Sequence, residues 1–249
     1  MTGTFMPVFD HAFFFVLTVA YPAASFFSYR RLLRRIAAGE TVRPTEIYRS
    51  TMIGHWALFS LLLILWLVND RPFAALGFTR DIGAGFLIGL ALTVVMLIVV
   101  MRNYGGLDDA SEKTRDAIRR QLAELVILMP RDRRELREFY GLSVTAGIVE
   151  ETMWRGYMFW YLGHVMPLWA AALISTVLFG LSHAYQGPRN IPMVALAGAV
   201  FAALYLLTGS IWLPMLLHAV FDAVQGRAVY KALAKEAPPA EQPRSGERA

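Results

Sequence analysis

The chain has 249 residues, 56% hydrophobic and 17% charged, with a formal net charge of +5 and no cysteine. Soluble domains run at about 45–50% apolar and about 25% charged, so an ordinary soluble domain, a disordered chain and a collagen-like chain are all excluded. Without cysteine, disulfides, thiolate catalysis and cysteine-ligated zinc or iron are excluded too, and a charge of +5 is too small to indicate a nucleic-acid partner; none is expected.

Residues 82–101 carry no charge in 20 positions and residues 190–217 none in 28, whereas one helical crossing of a bilayer needs roughly 20 apolar residues. Runs of this kind also exclude an outer-membrane barrel, whose strands alternate polar and apolar residues. In chain order, the first predicted span is 8–28. No Lys or Arg precedes it, so it lacks the basic region of a signal peptide and reads as a retained helix. Asp10 and His11 at its outer end read as interfacial. The second span is 51–69 and the third 82–101. His55 in the second and His164 further on have no matched partners and read as structural or interfacial.

A polar stretch, 102–138, follows with nine basic residues. Within it Ile118, Leu122, Leu125 and Val126 fall at helical spacing, as in an amphipathic helix on the membrane surface or a solvated helix packed on the protein. The fourth span, 141–163, is interrupted by charge. After a break at His164–Pro167 the fifth runs over 168–185, ended by Gly187 and Pro188. The sixth is 191–208, then Thr208, Gly209 and Ser210 make a tight turn into the seventh, 211–228. Residues 236–249 read as a disordered tail. The expected fold is all-α: a polytopic helical membrane protein with about seven, between six and eight, transmembrane helices. It forms one integral membrane domain over 1–249, with a catalytic core at 141–228.

The basic residues orient this arrangement. With the amino terminus outside, the inner segments hold 21 Lys and Arg and the outer ones two, Arg71 and Arg80, as the positive-inside rule requires. The carboxy terminus is then cytoplasmic. Of the 24 basic residues 21 are Arg, a bias of GC-rich bacterial genomes, so the expected location is a bacterial inner (plasma) membrane and the expected partners are its lipids. Gly85/Gly89 and Ala195/Ala199/Ala203 have the spacing for close helix contact. No internal repeat of the transporter type is visible.

Glu150, Glu151 and Arg155 fall in the middle of the fourth span. Ionisable groups there cost roughly 2.5–3.5 kcal/mol each on insertion scales and point to function; a buried salt bridge that fixes packing is the other reading. Glu151 and Arg155 are i and i+4 and can pair. Glu150 points about 140° away from Arg155 at 100° per residue, so it is the expected leftover carboxylate, suited to a general base. The fifth span ends on Phe179 to His183, and the seventh carries His218 and Asp222, which are i and i+4. Ser182 adjoins His183, but neighbours on a helix diverge by 100°, which argues against a Ser–His dyad. There is no His-Glu-x-x-His. The set suits water activation, with a carboxylate taking the proton and imidazoles orienting the water or stabilising an oxyanion. His and carboxylate are also zinc ligands.

The motifs Glu150-Glu151-x-x-x-Arg155, Phe179-x-x-x-His183 and His218-x-x-x-Asp222, in this order on successive spans, resemble the CPBP intramembrane proteases. That family includes the type II CAAX prenyl endopeptidases and the bacteriocin-processing and immunity (Abi) proteins. The resemblance covers about 140–226. It implies a membrane endopeptidase acting on a peptide or membrane-anchored protein. Glu150 would activate water, His183 would hold it, and His218 with residue 222 would stabilise the oxyanion. Asp222 stands where the eukaryotic enzymes carry Asn; an ionised Asp only accepts, so its other role would be to bond His218 and fix its tautomer. If a metal such as zinc is used, Glu150, His183 and His218 are the ligands; the reading leans slightly towards none. An immunity or scaffold protein of the same family is the alternative, and a transporter or proton relay a more distant one.

Overall fold

The computed structural model describes residues 7–105 and 128–234. The 118–126 periodicity and the 236–249 tail lie outside the described residues. Among those described every long element is a helix and none is a strand. Seven helices result, α1 to α7. α1 runs as Val8–Phe15, a π-helical turn Val16–Ala20 and Tyr21–Ala37. The wide turn precedes Pro22, which has no N–H for the Thr18 carbonyl and whose ring would press on it in regular α geometry. α2 is Pro44–Val68, started by a proline whose missing N–H is unneeded there. α3 is Ala84–Gly105.

α4 starts at Arg133–Glu151, widens into a π-helical stretch Thr152–Tyr157 and continues over Met158–Gly163. Asp132 caps it, accepting from the Arg134 and Glu135 amides at 2.7 and 2.8 Å. α5 is Leu168–Ser182, α6 Ile191–Thr208 and α7 Trp212–Ala234. Gly209, at φ +61°, closes the turn between the last two, a left-handed position that glycine takes without a Cβ penalty.

Among the described residues four helices are long and apolar enough to cross a membrane: Val8–Ala37, Pro44–Val68, Ala84–Tyr104 and Ile191–Thr208. α5 is apolar but shorter. α4 and α7 each carry several ionisable residues along their length. The outer surface fits a lipid solvent: Leu87, Ile88, Val94, Val95, Ile98 and Val99 on α3 all stand exposed, a continuous apolar face that water would not support.

The middle of α4 is the centre of the molecule. Val149, Met153, Trp154, Tyr157, Met158 and Leu162 form one core with Phe13 and Leu17 of α1, Leu62 and Trp66 of α2, and Ala171 and Phe179 of α5. α7 approaches where Gly147 leaves room, since a Cβ there would lie 2.7 Å from the Met215 carbonyl oxygen. This close crossing brings His218 alongside Glu151. Of the expected small-residue contacts, Gly85 and Gly89 do meet α6, at Leu207 and Thr208. Ala195 meets Gly180 on α5. Ala199 and Ala203 are exposed and make no such seam; the residue that lets α6 approach is Gly198.

Asp10 does not face solvent at the outer end of α1. It is buried at 1% exposure and receives both Arg71 nitrogens, at 2.8 and 2.6 Å, while Arg71 lies over the rings of Trp66 and Trp160. The sequence gives no hint of this pair because its members are 61 positions apart. His11 stays exposed, bonded to the Tyr161 hydroxyl, and His164 bonds only its own helix at the Trp160 carbonyl.

Candidate active site

Four helices supply the ionisable groups. α4 places Glu150 and Glu151 immediately before its π-helical stretch, a feature that recurs at functional sites. Ser175 of α5 donates to the Trp154 carbonyl inside that stretch, at 2.5 Å. Glu151 and Arg155 pair as their spacing predicts, at 2.9 Å, both fully buried. Arg155 also donates to the Gly198 carbonyl at 2.9 Å and lies over the rings of Phe179 and Phe201. A Cβ at position 198 would come within 3.0 Å of that guanidinium, so only glycine allows the approach.

His218 joins this pair. Its Nδ1 lies 2.7 Å from Glu151 Oε1, the oxygen that Arg155 also uses, and its ring stacks on Phe201. Its Nε2 is 3.5 Å from Asp222 Oδ2, and Asp222 is partly open to the surface. The expectation that His218 and Asp222 share one face therefore holds.

Glu150 is not the leftover carboxylate that helix geometry suggested. Its Oε1 is 2.9 Å from His55 Nε2 on α2. Its Oε2 is buried, has no hydrogen-bond partner among the described residues and faces His183 Nε2 at 3.9 Å. His55, read as structural or interfacial, is thus part of the site. The reading failed because a single helical wheel sees only partners on the same helix, and His55 is 95 positions away. The available signal was its own: an imidazole within an apolar span is subject to the same cost argument as Glu150.

His183 turns its Nδ1 to the Phe179 carbonyl at 2.8 Å, so that nitrogen carries the hydrogen and in the neutral ring Nε2 presents a lone pair. Ser182 does come close, with Oγ 3.1 Å from His183 Nδ1, nearer than the helical wheel suggested. Both groups, however, serve the same Phe179 carbonyl, Ser182 at 2.7 Å, so His183 offers Ser182 no base. Phe179 touches Arg155, His183 and His218 with its ring and holds them apart. Tyr185 stacks on His183, and the Tyr21 hydroxyl lies 3.2 Å from His55 Nδ1; the motifs pointed to neither.

The site thus has two parts, Glu150 with His55 and His183, and Glu151 with Arg155, His218 and Asp222. His218 faces carboxylates through both nitrogens, and among the described residues no three His, Asp or Glu are grouped to hold a metal ion.

Residues 133–224 match the family model for type II CAAX prenyl endopeptidases, Rce1-like. The chain carries an Rce1-like domain. The match encloses all three motifs, from Glu150 to Asp222, and is consistent with the CPBP family. The Rce1-like family implies a protease and, with the apolar helices, an integral membrane protein. No curated protein and no solved structure matches the chain.

Proposed function

We propose that this protein is an intramembrane endopeptidase that hydrolyses a peptide bond in a membrane-associated or lipid-modified substrate, with water activated by Glu150. One observation carries the reading: Glu150 Oε2 and His183 Nε2 are two acceptor atoms 3.9 Å apart at the edge of an apolar core. One water molecule can donate a hydrogen to each at that spacing. Glu150 Oε2 takes a proton as the water oxygen attacks the substrate carbonyl carbon, and the carbonyl oxygen becomes an oxyanion. His218 lies between two acceptors and carries hydrogen on both nitrogens in this scheme. Its contact to Asp222 at 3.5 Å is too long for a strong bond, which leaves the Nε2 hydrogen for the oxyanion. Collapse of the intermediate breaks the C–N bond, and Glu150 returns the proton to the leaving amine.

The test is a comparison of membrane proteomes from cells carrying the wild type or Glu150→Gln. Membrane-anchored proteins trimmed only with the wild type are the expected result, and their trimming in isolated membranes should persist under stringent chelation. Identical proteomes would favour the immunity or scaffold role over proteolysis.

The same reading places seven crossings in a bacterial plasma membrane, with the amino terminus outside and the carboxy terminus in the cytoplasm. The 21-to-2 division of basic residues supports it. Reporters fused after residue 75 should be external, and those after 40, 110 and 235 internal. An external signal at 110 would reverse every later helix and overturn the topology.

A further inference from the structure

His55 lies outside residues 133–224 and outside all three motifs, yet its Nε2 lies 2.9 Å from Glu150 Oε1, closer than His183 Nε2 is to Oε2 at 3.9 Å. Its Nδ1 is 2.8 Å from the Thr51 carbonyl oxygen. A carbonyl only accepts, so Nδ1 carries a hydrogen. In the neutral ring with that hydrogen, Nε2 is a lone pair, and a carboxylate oxygen is also a lone pair. Nε2 and Glu150 Oε1 are nevertheless 2.9 Å apart, a hydrogen-bond distance. A hydrogen therefore lies on that contact, and with Glu150 as the base it is carried by His55 Nε2 and donated to Oε1.

We propose that His55 is the positioning residue of Glu150. It engages Oε1 through that hydrogen and so presents Oε2, the oxygen without a partner among the described residues, to His183. α2 holds the imidazole for this purpose. Thr51 and the Tyr21 hydroxyl meet Nδ1 from one side, the Tyr21 ring meets the imidazole edge-on, and the side chain is buried at 8% exposure. His55 acts on the carboxylate and not on substrate, so its loss should lower kcat and leave KM in place. The role rests on the reading of Glu150 as the base.

The experiment uses the full-length protein in detergent. Its substrate is a membrane protein whose trimming distinguishes wild type from Glu150→Gln, and melting temperatures are recorded beside the kinetics. His55→Phe keeps the ring and the packing and removes the donor; its kcat should fall about 10–100-fold, as when a residue that orients a ligand group is lost, with KM within about twofold. His55→Gln puts an amide N–H about as far along the side chain as the lost Nε2 and should recover most of that kcat. Wild-type kcat in a folded His55→Phe, or no recovery in a folded His55→Gln, overturns the positioning role while leaving Glu150 as the base. Equal trimming by wild type and Glu150→Gln overturns the reading of Glu150 and this inference with it. If His55→Phe does not fold, His55→Gln alone decides: near-wild-type kcat supports the role, and a folded but inactive protein overturns it.

Discussion

Glu150→Gln is expected to fold as well as the wild type and to lose turnover by about 10²–10⁴-fold, the usual contribution of a general base. The side chain keeps its shape, and the amide can donate to His55 Nε2 while His55 keeps its Nδ1 hydrogen on Thr51, so no buried group is orphaned. What disappears is the basic oxygen facing His183. The measurement is thermal stability in detergent together with cleavage of a membrane substrate. A folded and fully active Glu150→Gln would remove Glu150 from the chemistry. A collapsed Glu150→Gln beside a folded, inactive Glu151→Gln would mean that the two glutamates have exchanged roles.

The second large effect is on stability. Arg155 and Glu151 are both fully buried and bonded to each other, and breaking such a pair from one side costs about 3–5 kcal/mol because a charge is left uncompensated. Arg155→Met additionally strips the Gly198 carbonyl of its donor and leaves the Glu151 carboxylate with His218 alone. Glu151→Gln leaves a guanidinium without its counter-charge. Each single variant should therefore lower the yield of folded protein and its melting temperature. The double variant should be more stable than the sum of the two losses predicts, since neither charge is then orphaned. Strict additivity in this double-mutant cycle would show that the pair does not act as a unit.

These two expectations separate adjacent residues with the same side chain, and the separation has two sources. The pairing of Glu151 with Arg155 was legible in the sequence because it depends only on a four-residue spacing within one helix. It holds even though the helix widens into a π-turn between the two. The shared face of His218 and Asp222 was legible for the same reason.

The partner of Glu150 was not legible. It depends on how α2 is rotated and at what depth it packs against α4, and neither is written in the spacing of any one segment.

The sequence by itself determined the all-helical class, the existence and order of the described helices and the three motifs, although α1, α2, α4 and α7 each run six to nine residues beyond the predicted span at one end. Helix breaks are local events set by proline, glycine and charge, as at Pro44, His164–Pro167 and Gly209. Only the tertiary structure decided which buried groups meet across helices: His55 with Glu150, Arg71 with Asp10, His218 with Glu151, and Arg155 with the Gly198 carbonyl. It also decided that Gly198, and not Ala199 or Ala203, carries the close contact of α6. The physical reason is common to all of these. Apolar helices are nearly degenerate in the faces they can bury, so composition leaves their rotation open, and packing against neighbours distant in the chain selects one.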